Sequence, residues 1–212
     1  MELIFTGEYF PKYLPQDTKS LRLHLSFEDE KRTMSHDEFW EFCQKNPRLN
    51  AELNNEGDVI IMPPTGWETS DRNAELITQL RIWAKKDGRG KVSDSNGGFI
   101  LPNGAIRSPD SAWILKSRLN ELAKEKLEKF LPLCPDFVVE MTSPSDSLKE
   151  AREKMLEYIE NGASLGWLIH TKTKQVFIYQ PNKEVEVFEN PKKVSGEPLL
   201  KNFEFDLTEI WN

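Results

Sequence analysis

The run Phe137-Val138-Val139-Glu140-Met141-Thr142 constrains this chain more than any other stretch. Its apolar residues read as a strand inside a sheet, opened by Pro135-Asp136 and broken by Ser143-Pro144-Ser145. An ionised carboxylate such as Glu140 is costly on such a strand unless something pairs with it. A second segment, Ser108-Pro109-Asp110, leads into the apolar run Ala112-Trp113-Ile114-Leu115 and again sets an acid at a strand boundary. Two such acids brought to 4 Å repel by roughly 4 kcal/mol at an effective dielectric near 20. Unless one takes up a proton, a cation is the remedy, and oxygen-rich sites suit Mg²⁺. The pair therefore points towards metal-dependent phosphodiester chemistry.

A length of 212 residues fits a single domain, with residues 1–33 as an N-terminal extension. With 38% hydrophobic and 30% charged residues the chain reads as globular rather than disordered. No stretch approaches the about 20 apolar residues of a membrane span, so no membrane partner is expected. Met1-Glu2-Leu3-Ile4-Phe5 lacks the basic start and apolar run of a secretion signal. Cys43 and Cys134 make no disulfide framework, and a reduced, cytoplasmic setting is expected. His24, His36 and His170 lack the spacing of a zinc site. A net charge of −7 argues against a generic nucleic-acid coat protein, but a nuclease needs only a local basic face. Two clusters could supply one: Lys85, Lys86, Arg89 and Lys91, and Lys116, Arg118, Lys124, Lys126 and Lys129. Solvated helix faces are the plainer reading of both.

The alternating Leu21-Arg22-Leu23-His24-Leu25 suggests an edge strand. Ser35 with Glu38 has the form of a capping box opening a helix. Leu49 to Leu53 and Val59 to Met62 flank a turn-rich stretch and predict a hairpin. Ala74, Ile77, Leu80, Trp83 and Ala84 predict a helix over about 69–86, capped by Thr69 or Ser70 and stopped by Gly88 and Gly90. Short strands over 91–107, a strand at 111–115, a charged helix at 118–130 and a strand at 136–142 follow. A helix at 147–161 and strands at 165–169, 176–179 and 185–188 complete the order. This succession predicts an α/β domain with a mixed, highly curved sheet and helices packed against it.

On the 147–161 helix, Leu148, Ala151, Met155, Tyr158 and Ile159 form the apolar stripe, and Lys154 lies on its border. At ~1.5 Å per residue Lys154 sits two turns in, where its stem can carry the ammonium over the sheet towards the carboxylates. A lysine snorkelling along an apolar edge is the structural alternative. Asp136 shares a strand face with Glu140 but fits a turn-initiating Pro-Asp equally well. Tyr158 reads first as a half-buried helix residue, and Trp113 and Trp167 read as core.

Taken together these pieces resemble the PD-(D/E)XK nuclease superfamily and, within it, the Uma two family of endonuclease-like proteins. The matching text is Glu52-Leu53, Met62-Pro63-Pro64-Thr65-Gly66, Arg107-Ser108-Pro109-Asp110, Pro135 to Glu140 and Ser143-Pro144-Ser145. Lys154-x-x-x-Tyr158, Gly162-Ala163 and Trp167-Leu168-Ile169 continue it, so that the resemblance covers about residues 33–210. It implies a restriction-endonuclease-like fold: a mixed curved β-sheet flanked by α-helices. It implies Asp110 and Glu140 as ligands of Mg²⁺ or Mn²⁺, Glu52 as a third acid of the site, and Lys154 as the catalytic lysine. The implied activity is a Mg²⁺-dependent endonuclease hydrolysing phosphodiester bonds. The implied partner is a nucleic acid, DNA in the first instance, and a homodimer is compatible with this.

Two departures stand out. The superfamily usually places its lysine two residues after the strand acid, where this chain has Thr142; a lysine moved to the neighbouring helix is a known variation. Relatives tend to carry an acid after the Trp-Leu-Ile strand, where this chain has His170. The competing reading is a catalytically inactive binding module on the same fold, which metal titration would separate from a nuclease. No helix-turn-helix, zinc-finger or RNA-binding signature is visible.

Overall fold

The computed structural model describes residues 9–14, 21–27, 33–143 and 146–212, the side chains of 9–14 and 25–27 excepted. In chain order the elements are β1 (Tyr9–Leu14), β2 (Leu21–Phe27), α1 (His36–Lys45), β3 (Asn50–Leu53), β4 (Val59–Met62) and α2 (Trp67–Asp87). There follow β5 (Gly90–Ser93), β6 (Phe99–Ile100), β7 (Ile106–Arg107), β8 (Ser111–Leu115), α3 (Lys116–Asn120) and a 3-10 turn at Lys124–Glu128. The chain continues with β9 (Phe137–Thr142), α4 (Leu148–Glu160), β10 (Leu165–His170), β11 (Gln175–Tyr179), β12 (Glu186–Glu189), β13 (Lys193–Ser195) and β14 (Glu204–Asp206).

These elements fall into two compact units. The first comprises Met1–Pro64, Gly98–Ser108 and Glu125–Leu133, and the second Thr65–Gly97, Pro109–Lys124 and Cys134–Asn212. The α/β class stands, but the described strands make two six-stranded sheets, one per unit, and a two-stranded ribbon rather than one continuous sheet. Pro64, Gly97-Gly98 and Pro109 fall on the boundaries. Proline has no amide to donate to a ladder and glycine has no side chain to pack in one, so such residues end strand pairing.

In the first unit the sheet order is β1-β2-β4-β3-β7-β6, and every pairing is antiparallel. β2 is flanked on both sides rather than being an edge strand. Ser35 caps α1 through the expected box: its hydroxyl accepts the Glu38 amide while the Glu38 carboxylate accepts the Ser35 amide. The helix thereby presents Phe39 and Phe42 to a core of Leu23, Leu53, Val59 and Ile106.

In the second unit the order is β12-β11-β10-β9-β8-β5. Only β9 and β10 run parallel, and α4 is the crossover between them. Strand β9 is central, with β8 antiparallel on its other side. Its alternation divides its side chains: Phe137, Val139 and Met141 enter a core with Leu76, Leu80 and Ala84 of α2, and with Trp113 and Trp167. The opposite parity holds Val138 and Glu140, and α4 packs there. Gly166 leaves room there for the Met155 methyl of α4, the flexible end of a side chain that a Cβ at this position would push aside.

Two further sequence expectations need correction. The charged helix expected over 118–130 is only the five-residue α3 and a short 3-10 turn. Neither buries a residue, and a helix without a buried face has little beyond weak local propensity to sustain it. Helix α2 starts at Trp67 behind Gly66, so Thr69 is a buried residue inside it rather than its cap.

Candidate active site

Glu140 lies one residue before Met141 on β9, on the α4 side of the sheet. Its side chain is 14% exposed. Lys154 Nζ lies 2.9 Å from Oε1, and the Tyr158 hydroxyl donates to the same oxygen at 2.9 Å. Helix geometry explains the convergence, because residues four apart share a face. The cap by Ser147, whose hydroxyl accepts the Glu150 amide, fixes where α4 begins. Tyr158 is fully buried, more so than the sequence suggests, and its hydroxyl is committed to the acid.

Asp110 precedes β8. The register pairs Ala112 with Val138 and Ser111 with Val139 and ends there, Asp110 being the residue before Ser111 and Glu140 the residue after Val139. Its Oδ2 accepts the Met141 amide at 2.7 Å, and its Oδ1 accepts Nδ2 of Asn73 on α2 at 3.0 Å. Burial pushes the Asp110 carboxyl above the usual aspartate range; the Met141 amide, the Lys154 ammonium and Asn73 counter this, and Asp146 adds to it. Lys154 thus pairs with one acid of the strand pair and acts electrostatically on the other. Asp146 itself accepts the Ser143 amide at 2.6 Å in the turn leading into α4.

Glu52 belongs to the first unit. It is 2% exposed, pairs with Arg107 Nη1 at 3.1 Å and accepts the Ser108 amide at 2.9 Å. That partnership accounts for a buried carboxylate in structural terms. Asp136 accepts the Leu115 amide and Arg118 Nη1, each at 2.9 Å, and so ties β9 to β8 and α3. His170 is buried with Nδ1 2.6 Å from the Thr173 hydroxyl, and Thr142 is buried beside it across β9 and β10. Of the basic clusters, Arg89 is taken up by Asp87 and the Leu199 carbonyl, Lys116 by the Gly88 carbonyl, and Lys129 by Asp37.

Asn73 and Asp146 were not singled out from the sequence. The buried side of α2 is Thr69, Leu76, Leu80 and Ala84, and Asn73 lies on that face at i+4 from Thr69. Reading the stripe from Ala74 and Ile77 rotated the helix away from it. A polar, poor helix former on the apolar side was the available signal.

Among the described residues no group of three or more His, Cys, Asp or Glu side chains could hold a metal. The donor set still suits Mg²⁺, which takes one or two carboxylates and leaves its other positions to water and phosphate oxygens. Asp110 and Glu140 are two carboxylates that could fill the carboxylate positions.

The fold defines a class, an α/β protein of mixed sheets with helices packed against them. A crystal structure described as "a putative nuclease belonging to DUF820 from Anabaena variabilis ATCC 29413" is similar with a TM-score of 0.70. The likeness covers 84% of this chain and 97% of that one at 21% sequence identity, and is one of fold. The model of the Uma2 family, described as "Putative restriction endonuclease", matches residues 36–208 and runs through both units. The chain belongs to the Uma2 family. No curated protein matches it.

Proposed function

We propose that this protein is a Mg²⁺- or Mn²⁺-dependent endonuclease that hydrolyses phosphodiester bonds in DNA. The observation that carries the reading is the placement of Lys154, paired with Glu140 and acting on Asp110, the two acids adjoining the Ser111–Val139 pair of neighbouring strands. Asp110 and Glu140 would hold the metal. When bound, the metal would polarise the phosphate and acidify a bound water.

The chain's own groups do the rest. The Met141 amide and Asn73 fix the Asp110 carboxylate from two directions, and the Tyr158 hydroxyl fixes Glu140. Preorganised acids spend no reorganisation energy at the moment of reaction. The Lys154 ammonium stabilises negative charge growing on the phosphoryl oxygens. Phosphate binding is sequence-independent, so the site itself reads no bases.

The test is a cleavage assay over double-stranded DNA, single-stranded DNA and RNA, with and without Mg²⁺ or Mn²⁺ and with Glu140→Gln as control. Metal-dependent cutting of DNA that the substitution abolishes is expected. Binding without cutting under every condition would replace the nuclease with an inactive binding module.

A further inference from the structure

Lys154 and Glu140 are 19% and 14% exposed, so their ion pair is largely sheltered from water. The same ammonium acts on Asp110, which directly precedes the Ser111–Val139 pair that Glu140 directly follows. A positive charge therefore already serves the two acids that the nuclease reading assigns to a divalent cation. Oε1 of Glu140 receives both this ammonium and the Tyr158 hydroxyl. An ammonium and a hard metal ion seek the same carboxylate oxygens.

We propose that Lys154 is the built-in counter-ion of the cation-free acid pair, and that a divalent metal displaces it from Glu140 on binding. The proposal rests on the nuclease reading for its metal and adds that lysine and metal compete. Lys154 then has two successive roles: it neutralises the acids before the metal arrives, and it is released towards the phosphate afterwards. The helix position suits this exchange. At position 142 a side chain is buried in the strand, where the Thr142 hydroxyl donates to the Ile169 carbonyl at 3.5 Å. A lysine on α4 has a flexible four-carbon stem and can withdraw.

The test is calorimetric titration with Mn²⁺ at fixed ionic strength on the wild type, Lys154→Met, Glu140→Gln and Asp110→Asn, with no nucleic acid present. Lys154→Met is expected to bind Mn²⁺ about tenfold more tightly than the wild type, about 1.4 kcal/mol. Glu140→Gln and Asp110→Asn are expected to bind it more weakly. In parallel, the side-chain NMR signal of Lys154 in the wild type should shift in step with Mg²⁺ saturation. Lys154→Met affinity equal to or below wild type, with Glu140→Gln weakened, overturns the displacement and leaves the metal site standing. Mn²⁺ binding that is absent, or indifferent to both acid substitutions, removes the metal reading and the proposal with it. Should Lys154→Met fail to fold, a Lys154 signal unmoved at saturating Mg²⁺ overturns the proposal by itself.

Discussion

The Tyr158 hydroxyl donates to Glu140 Oε1 from one turn further along α4 than Lys154, so a neutral and a charged donor from one helix hold a single carboxylate oxygen. Tyr158→Phe removes the neutral donor and keeps the packed ring. The loss expected in urea unfolding is about 1 kcal/mol. Turnover should fall about tenfold, equivalent to roughly 1.4 kcal/mol of barrier, with KM little changed. A parallel rise in KM with turnover intact would show that Tyr158 acts on binding rather than on Glu140.

Asp110→Asn should leave the metal-free protein about as stable as the wild type. Burial already disfavours the charged form, so neutralising it relieves a cost while the Met141 amide keeps an oxygen to donate to. What should vanish is stabilisation by metal, about 2.7 kcal/mol in the wild type at a hundred times Kd. Thermal melts with and without Mn²⁺ measure both. A metal-induced gain that survives the substitution would show that Asp110 is not a ligand.

Arg107→Met should be among the most destabilising changes in the first unit. Glu52 is 3% exposed at its side chain and Arg107 12%, so the substitution withdraws the cation from a sheltered carboxylate. The expected cost is about 3–5 kcal/mol in chemical denaturation. Glu52→Gln should cost less, because an amide oxygen still accepts from Ser108. Equal and small effects would mean that the pair is solvated in solution.

Burial holds the His170 imidazole below its usual 6.5. From 6.5 down to the folded value the unfolded chain takes up a proton that the folded one refuses, so stability drains away as pH falls through that window. Melting temperatures compared between about pH 7.5 and 5.5 should fall further for the wild type than for His170→Gln. An identical fall in both would remove His170 from the acid response.

Much of this was legible in advance because it rests on local rules. The capping box at Ser35, the β3–β4 hairpin and the strand–helix–strand run from Phe137 to His170 each carry their signal within a few residues. The border position of Lys154 on the α4 stripe sufficed to aim it at Glu140. Partners that depend on another segment were not legible. Asn73 reaches Asp110 from a helix 37 residues away, and Asp136 is claimed by Arg118 at a distance of 18. The ribbon of β13 and β14, which puts Val194 and Phe205 into the core, has strands too short for periodicity to register.

The parallel pairing of β9 and β10 with α4 between them has a consequence for how the protein comes into being. Glu140 and its Tyr158 partner are 18 residues apart inside one strand–helix–strand segment, whereas Asp110 reaches the Met141 amide across 31. Closing the shorter loop costs less entropy, so the helix-held half of the site belongs to the segment that can assemble early. The second acid arrives only when β8 docks. A chain refolding from its full length would therefore form its lysine–glutamate pair before Asp110 joins it.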